Sequence, residues 1–420
     1  MQKLFTSIQK WIKYLDMSSS RHFCIMPWIH AHILPNGNVL PCCAAPAIES
    51  MSLGNIKVDS LEHIWNDSGF KSMRKKMLAG EPVVACKVCY TAEKAGASSL
   101  RNTSNKVFAH HLKLTDQTND DGSFPEFKFR YYDVRFSNLC NLRCRMCCPE
   151  LSSSFGTDSA KRNNTSSPKT FNVYDTKEDF LKEFSPQVQY LEEIYFAGGE
   201  PLLIDAHYWA LEELLRQNKT EIRIRYNTNF SVLGKGDWYA PALWKHFSKI
   251  EIGASLDADK ERIEYIRQGI KWKKILENRE IVRNEVPHVD FKLAITVGMM
   301  NLLHVPKFLK QCVEENFISA DKFYTNNLLA PDYFSSQILP ESWKKQVRNE
   351  YHTLIDYMKK KGAPNWVLMN LKSVVTYMDS ANKEELLSQF FKETKLLDTF
   401  YNKKFFDVFP EYRGLESGLN

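Results

Sequence analysis

The strongest constraint in this chain is where its thiols lie. Of ten cysteines, Cys24, Cys42, Cys43, Cys86 and Cys89 fall in the first quarter, and Cys140, Cys144, Cys147 and Cys148 form one tight run. Cys312 stands alone in a helical stretch, where a buried, inert thiol is expected. The opening residues carry no apolar core of signal-peptide length and no small-residue cleavage site. Instead Leu4, Phe5, Ile8, Trp11, Ile12 and Leu15 recur at helical spacing, so an amphipathic helix packed on the core is expected over 1–20. No stretch reaches the roughly 18 apolar residues needed to span a bilayer. A cytoplasmic location follows as an expectation, and there thiols stay reduced. Clustered thiols in a reducing compartment point to metal or redox chemistry rather than disulfides.

The 420 residues are 43% hydrophobic and 25% charged, which suits a globular protein with a sizeable core and excludes wholesale disorder. The net charge of +6, spread over this length with no aromatic–basic module, argues against a nucleic-acid partner. Residues 21–105 hold the first cysteine group and a hairpin signal turning at Asn36-Gly37. A helix over 61–78 follows, with Ile64, Trp65, Phe70, Met73 and Met77 roughly on one side. The polar stretch 106–130 reads as a linker. From 131 to 330 short apolar strands alternate with helices. Strands are expected at 131–136, 193–197, 222–228, 250–256, 289–297 and 322–325. Helices are expected at 180–184, 206–216, 240–246, 259–266, 272–284 and 305–315. Repeated strand–helix units imply an α/β fold with a parallel sheet and right-handed crossovers. Six units suit a partial (β/α)6 barrel, with ligands at the carboxyl ends of the strands. The polar insertion 152–168 reads as a mobile loop, and 331–420 as a helical extension.

The run Cys140-x3-Cys144-x2-Cys147 puts three thiolates on one short loop just after the first barrel strand. Thiolates suit soft metals and iron–sulfur clusters, and three ligands leave one metal position open. A zinc site is the alternative, although zinc motifs more often show C-x2-C pairs. The second predicted strand ends in Gly198-Gly199-Glu200-Pro201, where two glycines admit a ligand close to the backbone and Glu200 can accept from an ammonium group. Alone it could be a tight turn.

With these motifs in this order, the sequence resembles the radical S-adenosylmethionine (SAM) enzymes. The resemblance implies a 4Fe–4S cluster on Cys140, Cys144 and Cys147, with the amine and carboxylate of SAM on the open iron. One-electron cleavage of SAM to a 5′-deoxyadenosyl radical then removes a hydrogen atom from substrate. Met146 stands where the family often has an aromatic residue, and an apolar contact over the adenine survives that change. The Gly198–Pro201 segment resembles the family's GGEP motif, which holds the SAM amine. Asn227-Thr228-Asn229 resembles its Thr-Asn-Gly segment, with Phe230 where glycine is usual. Ser255 and Asp257 resemble its ribose contacts, and helix capping is the other use open to Asp257. Arg267 resembles the arginine near the SAM carboxylate, and a solvated surface arginine is its alternative. Thr296, Val297 and Asn301 resemble an adenine and methionine contact region.

In the first group, Cys24-x12-Gly37-x4-Cys42 brackets the hairpin, and Cys86-x2-Cys89 completes a set of four. Four thiolates fully ligate one cluster or one zinc. With Gly54-Asn55-Ile56, Leu61, Ile64-Trp65 and Phe70, the set resembles the twitch domain, the shortened relative of the SPASM domain, here ahead of the barrel instead of behind it. That resemblance implies an auxiliary 4Fe–4S cluster that moves electrons. Cys43 directly follows Cys42, and the spacing favours Cys42. The implied substrate is a peptide or protein, with a small molecule such as a sugar as the alternative. The implied electron donor is a reduced flavodoxin or ferredoxin. No residue declares itself as a general base or radical relay. The rival from another class is a zinc-stabilised binding protein with both cysteine groups structural.

Overall fold

The computed structural model describes residues 20–94 and 98–415. The amphipathic helix expected over 1–20 therefore lies outside the described residues but for its last position. In chain order the strands are His32–Ile33 (β1), Asn38–Leu40 (β2), Gly54–Asn55 (β3), Tyr131–Val134 (β4), Arg143–Cys144 (β5), Glu193–Phe196 (β6), Arg223–Thr228 (β7), Gly234–Lys235 (β8), Trp238–Tyr239 (β9), Lys249–Ala254 (β10), Arg267–Gln268 (β11), Asp290–Val297 (β12) and Phe323–Asn327 (β13). The six strands expected from the sequence are β4, β6, β7, β10, β12 and β13. The fold is α/β, a partial six-stranded barrel pattern with an N-terminal hairpin region and a helical C-terminal segment. The chain divides into two compact units. Of the described residues, one holds those from 20 to 137 with 171–196 and 209–222, and the other holds 138–170, 197–208 and 223–415.

In the first unit the strand order is β6-β4-β1-β2-β3. β4 pairs in parallel with β6 and with β1, and the hairpin β1–β2 and strand β3 add antiparallel pairs. Gly37 takes φ +88° at the hairpin turn, and a Cβ there would sit 2.7 Å from Asn55 Oδ1, so the turn needs glycine. The helix expected over 61–78 is two helices, Leu61–Trp65 and Ser68–Leu78. Asp67 caps the second through Ser68 N, and Asn66 spends its amide on Phe124, accepting from its N at 2.8 Å and donating to its O at 2.9 Å. Those bonds also show that 106–130 is no linker. It continues the helix Leu100–Val107 into a 3-10 helix, Ala109–Gln117, and buries Leu112, Leu114, Phe124 and Phe129. Its polar composition hid those apolar anchors, each separated from the next by polar residues.

In the second unit β7, β10, β12 and β13 run parallel in the order β13-β12-β10-β7. The intervening helices Ala240–Trp244, Lys260–Ile266, Trp272–Glu285 and Val305–Glu314 lie where the sequence puts them. The C-terminal helices Glu341–Lys360, Asn365–Asp379 and Leu387–Tyr401 bear out the helical reading of that region. The exposed edge of β13 is covered by one side chain. Asn370 Oδ1 accepts from Thr325 N at 2.6 Å and its Nδ2 donates to Thr325 O at 3.0 Å, in place of a further strand. The segment 152–168, expected as a mobile loop, contains the helix Ser153–Asn163. Ser152 caps it through Phe155 N and also donates to Leu142 O at 2.8 Å, while Asn164 ends it in the left-handed conformation. Capping at both ends overcame a composition poor in helix formers.

Candidate functional site

The loop after β4 carries the three-cysteine run in the second unit, and it is tied down on every side. Cys140 N donates to Ser153 Oγ at 3.2 Å, and Ser154 Oγ donates to Cys140 O at 2.6 Å. Cys144 lies within β5, which pairs with β11 so that Cys144 faces Arg267. Cys147 N closes a turn onto Cys144 O at 2.9 Å. Burial pushes the Cys140 thiol up to about 12, and mutual repulsion with Cys144 adds to it. Cys147 is pushed up by burial and by Cys144, Cys148 and Cys140. Cys144 is pushed up by burial, and the Arg267 guanidinium opposes the rise. Three thiols on one short loop make a soft donor set, which fits an iron–sulfur group. Tetrahedral zinc, with sulfur at about 2.3 Å, needs thiolates about 3.8 Å apart. Among the described residues no three thiols have their sulfur atoms all within 4.8 Å of one another.

Gly198 and Gly199 take φ +80° and +55°, left-handed positions that favour glycine. Glu200 is completely buried. Its N donates to Leu139 O at 2.8 Å, joining this turn to the cysteine loop. Its carboxylate accepts from Thr228 Oγ1 at 2.6 Å, Asn229 N at 2.7 Å and Leu202 N at 3.1 Å. Burial pushes the carboxyl up to about 7 against these donors. The side chain thus fastens the turn to the end of β7, and the peptide groups around the two glycines are what the turn offers a ligand amine. Asn229 Nδ2 donates to Asn141 Oδ1 at 2.9 Å, a second tie to the cysteine loop. Phe230 takes φ +59°, which explains why glycine suits this position. The strain, about 1–2 kcal/mol, is matched by complete burial of its ring 5.0 Å from Phe291, worth roughly 1.5–3 kcal/mol.

Asp257 is completely buried with each oxygen engaged, Oδ2 by Arg267 Nε at 2.7 Å and Oδ1 by Thr296 N at 2.8 Å. The following helix begins after Asp259, and both Asp257 oxygens are spent on Arg267 and Thr296, so capping is not its role. Arg267 is 12% exposed and not a surface arginine, and its Nη1 lies 3.6 Å from Cys144 Sγ. Asp257 therefore aims Arg267 at the cluster loop. Ser255 is half-buried at the end of β10, its N bonded to Thr228 O at 2.8 Å. Asn301 Nδ2 donates to Thr296 O and Asp257 O, and its Oδ1 accepts from Gly298 N. Beside these lies a small apolar slot lined by Met146, Ile266, Gly298, Met299, Leu328 and Phe334 among others.

One part of the site lay beyond sequence reasoning. Arg145, between two cysteines of the run, has a fully buried side chain, and its Nη2 lies 2.7 Å from Asp398 Oδ1. Its guanidinium stacks 3.6 Å from the centre of the Tyr265 ring and its Nε donates to Tyr265 O. Asp398 also accepts from Tyr265 Oη at 2.7 Å and Phe405 N at 2.7 Å. On the other side of Cys144, Arg143 pairs with Asp158 at 2.9 Å. The only signal was an arginine on either side of a ligand.

In the first unit Cys24, Cys42, Cys86 and Cys89 converge. Cys24 is pushed up by burial and then by Cys86 and Cys89, Cys42 by burial and then by Cys43, Cys24 and Cys86, and Cys86 to about 11 by burial and Cys89. Cys43 is exposed and acts on Arg135, whereas Cys42 is acted on by Cys43, Cys24 and Cys86. The helix Leu100–Val107 stitches the Cys24 segment in place: Arg101 donates to Phe23 O and Ser20 O, and Asn105 accepts from Ile25 N.

Residues 134–306 match the family model of the radical SAM superfamily. This span is thus a radical SAM domain, the class whose cofactors are SAM and a 4Fe–4S cluster. Residues 24–90 match the SPASM model, described as an iron–sulfur cluster-binding domain, so the chain belongs to the SPASM/twitch subgroup, with that domain ahead of the barrel. No curated protein matches the chain. Among solved structures it is similar to histidine-tagged anSMEcpe with bound AdoMet, at 19% identity over 56% of this chain and 60% of that one, with a TM-score of 0.40. It is also similar to Streptococcus suis SuiB bound to S-adenosylmethionine, at 12% identity over 70% of this chain and 64% of that one, TM-score 0.40. SuiB bound to the precursor peptide SuiA gives 13% identity over 71% of this chain and 65% of that one, TM-score 0.38. The chain thus spans less than two thirds of each, and the likenesses are loose. No helix among the described residues is long and apolar enough to cross a membrane.

Proposed function

We propose that the protein modifies a peptide or protein substrate by radical hydrogen abstraction, with a second cluster moving the substrate's electron. The observation that carries this reading is the pairing of an incomplete three-thiolate loop, braced by Asp257 and Arg267, with a complete four-thiolate set in the other unit. In this reading Cys140, Cys144 and Cys147 hold the first 4Fe–4S cluster, and Cys24, Cys42, Cys86 and Cys89 hold the auxiliary one. Bound together, the first cluster and SAM supply one-electron cleavage to a 5′-deoxyadenosyl radical that takes a hydrogen atom.

The chain's own residues bind and orient. The Gly198–Pro201 turn offers peptide groups to the SAM amine. Arg267, aimed by Asp257, offers cationic donors to the SAM carboxylate beside Cys144. Asn229 and Ser255 supply polar contacts to methionine and ribose, and Met146 supplies an apolar contact to the adenine. Full thiolate ligation of the second cluster suits electron transfer over direct substrate ligation. A flavodoxin- or ferredoxin-type donor supplies the first electron. The SPASM architecture supports a peptide substrate, since related architectures modify ribosomal peptides and protein side chains. A sugar dehydrogenase is the competing use of the same parts.

The test is anaerobic reconstitution followed by incubation with SAM, dithionite and deuterated candidate peptides or sugars. About eight irons per chain, absorption near 400 nm and deuterium entering 5′-deoxyadenosine from a peptide are expected. Label arriving from sugars alone would overturn the peptide reading. Stoichiometric zinc in place of iron would overturn the enzymatic one. Cys144→Ala should abolish 5′-deoxyadenosine formation in a folded chain.

A further inference from the structure

Away from both cysteine sets, a third group of ligand-type side chains converges within the first unit. His110 and His111 are neighbours in the 3-10 helix Ala109–Gln117, and Glu192 stands just before β6. His110 Nε2 lies 2.9 Å from Glu192 Oε2, and His111 Nε2 lies 2.6 Å from Oε1. The two rings are 4.2 Å apart and tilted by 43°. Among the described residues this is the one trio of histidine, cysteine or carboxylate groups whose ligand atoms all fall within 4.8 Å. Glu192 is held from behind, its N donating to Arg130 O at 2.8 Å.

Successive residues of a helix point well apart, so two imidazoles turned onto one carboxylate is an unusual use of adjacent positions. A single histidine would satisfy Glu192 as a hydrogen-bond partner, and the second adds repulsion whenever both are charged. A divalent ion removes that conflict by taking both ring nitrogens and the carboxylate at once. Bonds of about 2.0–2.1 Å at tetrahedral angles set ligand atoms about 3.4 Å apart, a small spread from the distances here. The protonation states suit it as well. Burial holds His111 below the ordinary histidine value despite Glu192, and the histidines hold Glu192 below the ordinary carboxylate value despite burial. His111 is 12% exposed and His110 57%, so the trio is closed on one side and open on the other.

We propose that His110, His111 and Glu192 form a divalent-cation site of the zinc class, with its remaining position open to solvent. Imidazole and carboxylate ligands suit Zn2+, Co2+ or Ni2+. Bound there, the ion cross-links the 109–117 helix to the approach to β6 within the first unit.

The test uses the iron-loaded holoprotein, handled anaerobically, with Co2+ as a spectroscopic probe and Zn2+ as competitor. The wild type should bind one Co2+ beyond its iron, with visible bands of nitrogen and oxygen ligation, and release it to Zn2+. Glu192→Gln should weaken binding at least about tenfold. His110→Ala with His111→Ala should abolish it. Iron content, the 400 nm absorption and the far-UV spectrum should stay unchanged in both variants. Equal affinity in wild type and variants, no bound Co2+ in a folded wild type, or a near-UV thiolate-to-cobalt band would each overturn the proposal.

Discussion

Removing the carboxylate of Asp398 isolates a charge buried beside the cluster loop. In Asp398→Ala, Arg145 keeps its bond to Tyr265 O and its stacking on the Tyr265 ring but loses its anionic partner. Breaking a buried pair from one side costs about 3–5 kcal/mol, because the remaining charge is left without solvent or partner. Tyr265 Oη and Phe405 N lose an acceptor as well, adding about 1 kcal/mol each where the groups stay dry. At about 2–4 °C per kcal/mol for units of this size, the transition should fall by roughly 6–28 °C. Arg145 sits between Cys144 and Cys147, so cluster loss to a chelator should quicken in parallel. The assay is thermal unfolding by far-UV circular dichroism of the anaerobic, iron-loaded protein, with iron release followed at 400 nm. The double variant Arg145→Met, Asp398→Leu removes both charges and should recover most of the loss. A drop of under about 1 kcal/mol in the single variant, or a double variant no better than the single, would refute the claim that this pair holds the loop.

Three further outcomes follow from particular contacts. A Cβ at Gly298 would sit 2.7 Å from Phe334 O and 2.8 Å from Leu328 Cδ2. Gly298→Ala should therefore narrow the slot beside Met146 and raise the SAM dissociation constant about tenfold or more by equilibrium dialysis, at a cost of about 1–3 kcal/mol. Burial lowers His207 to about 3 in the folded state. Its share of stability is thus complete above the unfolded value near 6.5 and is lost as pH falls toward 3. That amounts to about 1.4 kcal/mol between pH 7.5 and 5.5. His207→Gln should flatten the dependence of denaturant stability on pH in that range by this amount, and an unchanged slope would contradict it. Cys86→Ala and Cys42→Ala should each remove about half the iron, whereas Cys43→Ala and Cys148→Ala should leave it intact; iron analysis decides which neighbour is the ligand.

What the sequence determined by itself was everything written in short-range spacing. Strand–helix rhythm places six strands and their helices because burial against a core repeats with the period of each element. Cysteine spacing declares the two donor sets for the same local reason, as does the Asn36-Gly37 turn. The tertiary structure alone decided which partners those residues meet. Asp398 reaches Arg145 across 253 positions, and Arg267 reaches Cys144 across 123. Asp257 and Glu200 look like open acceptors in one dimension and are consumed inside the fold in three. The polar stretches 106–130 and 152–168 read as linker and loop because few apolar residues mark them. They are ordered by Asn66 on Phe124 and Ser152 on Leu142, bonds between groups that no periodicity brings together. Local pattern records how much of each element is buried; ion pairs and buried polar bonds depend on which elements meet, and that is settled only when the chain closes on itself.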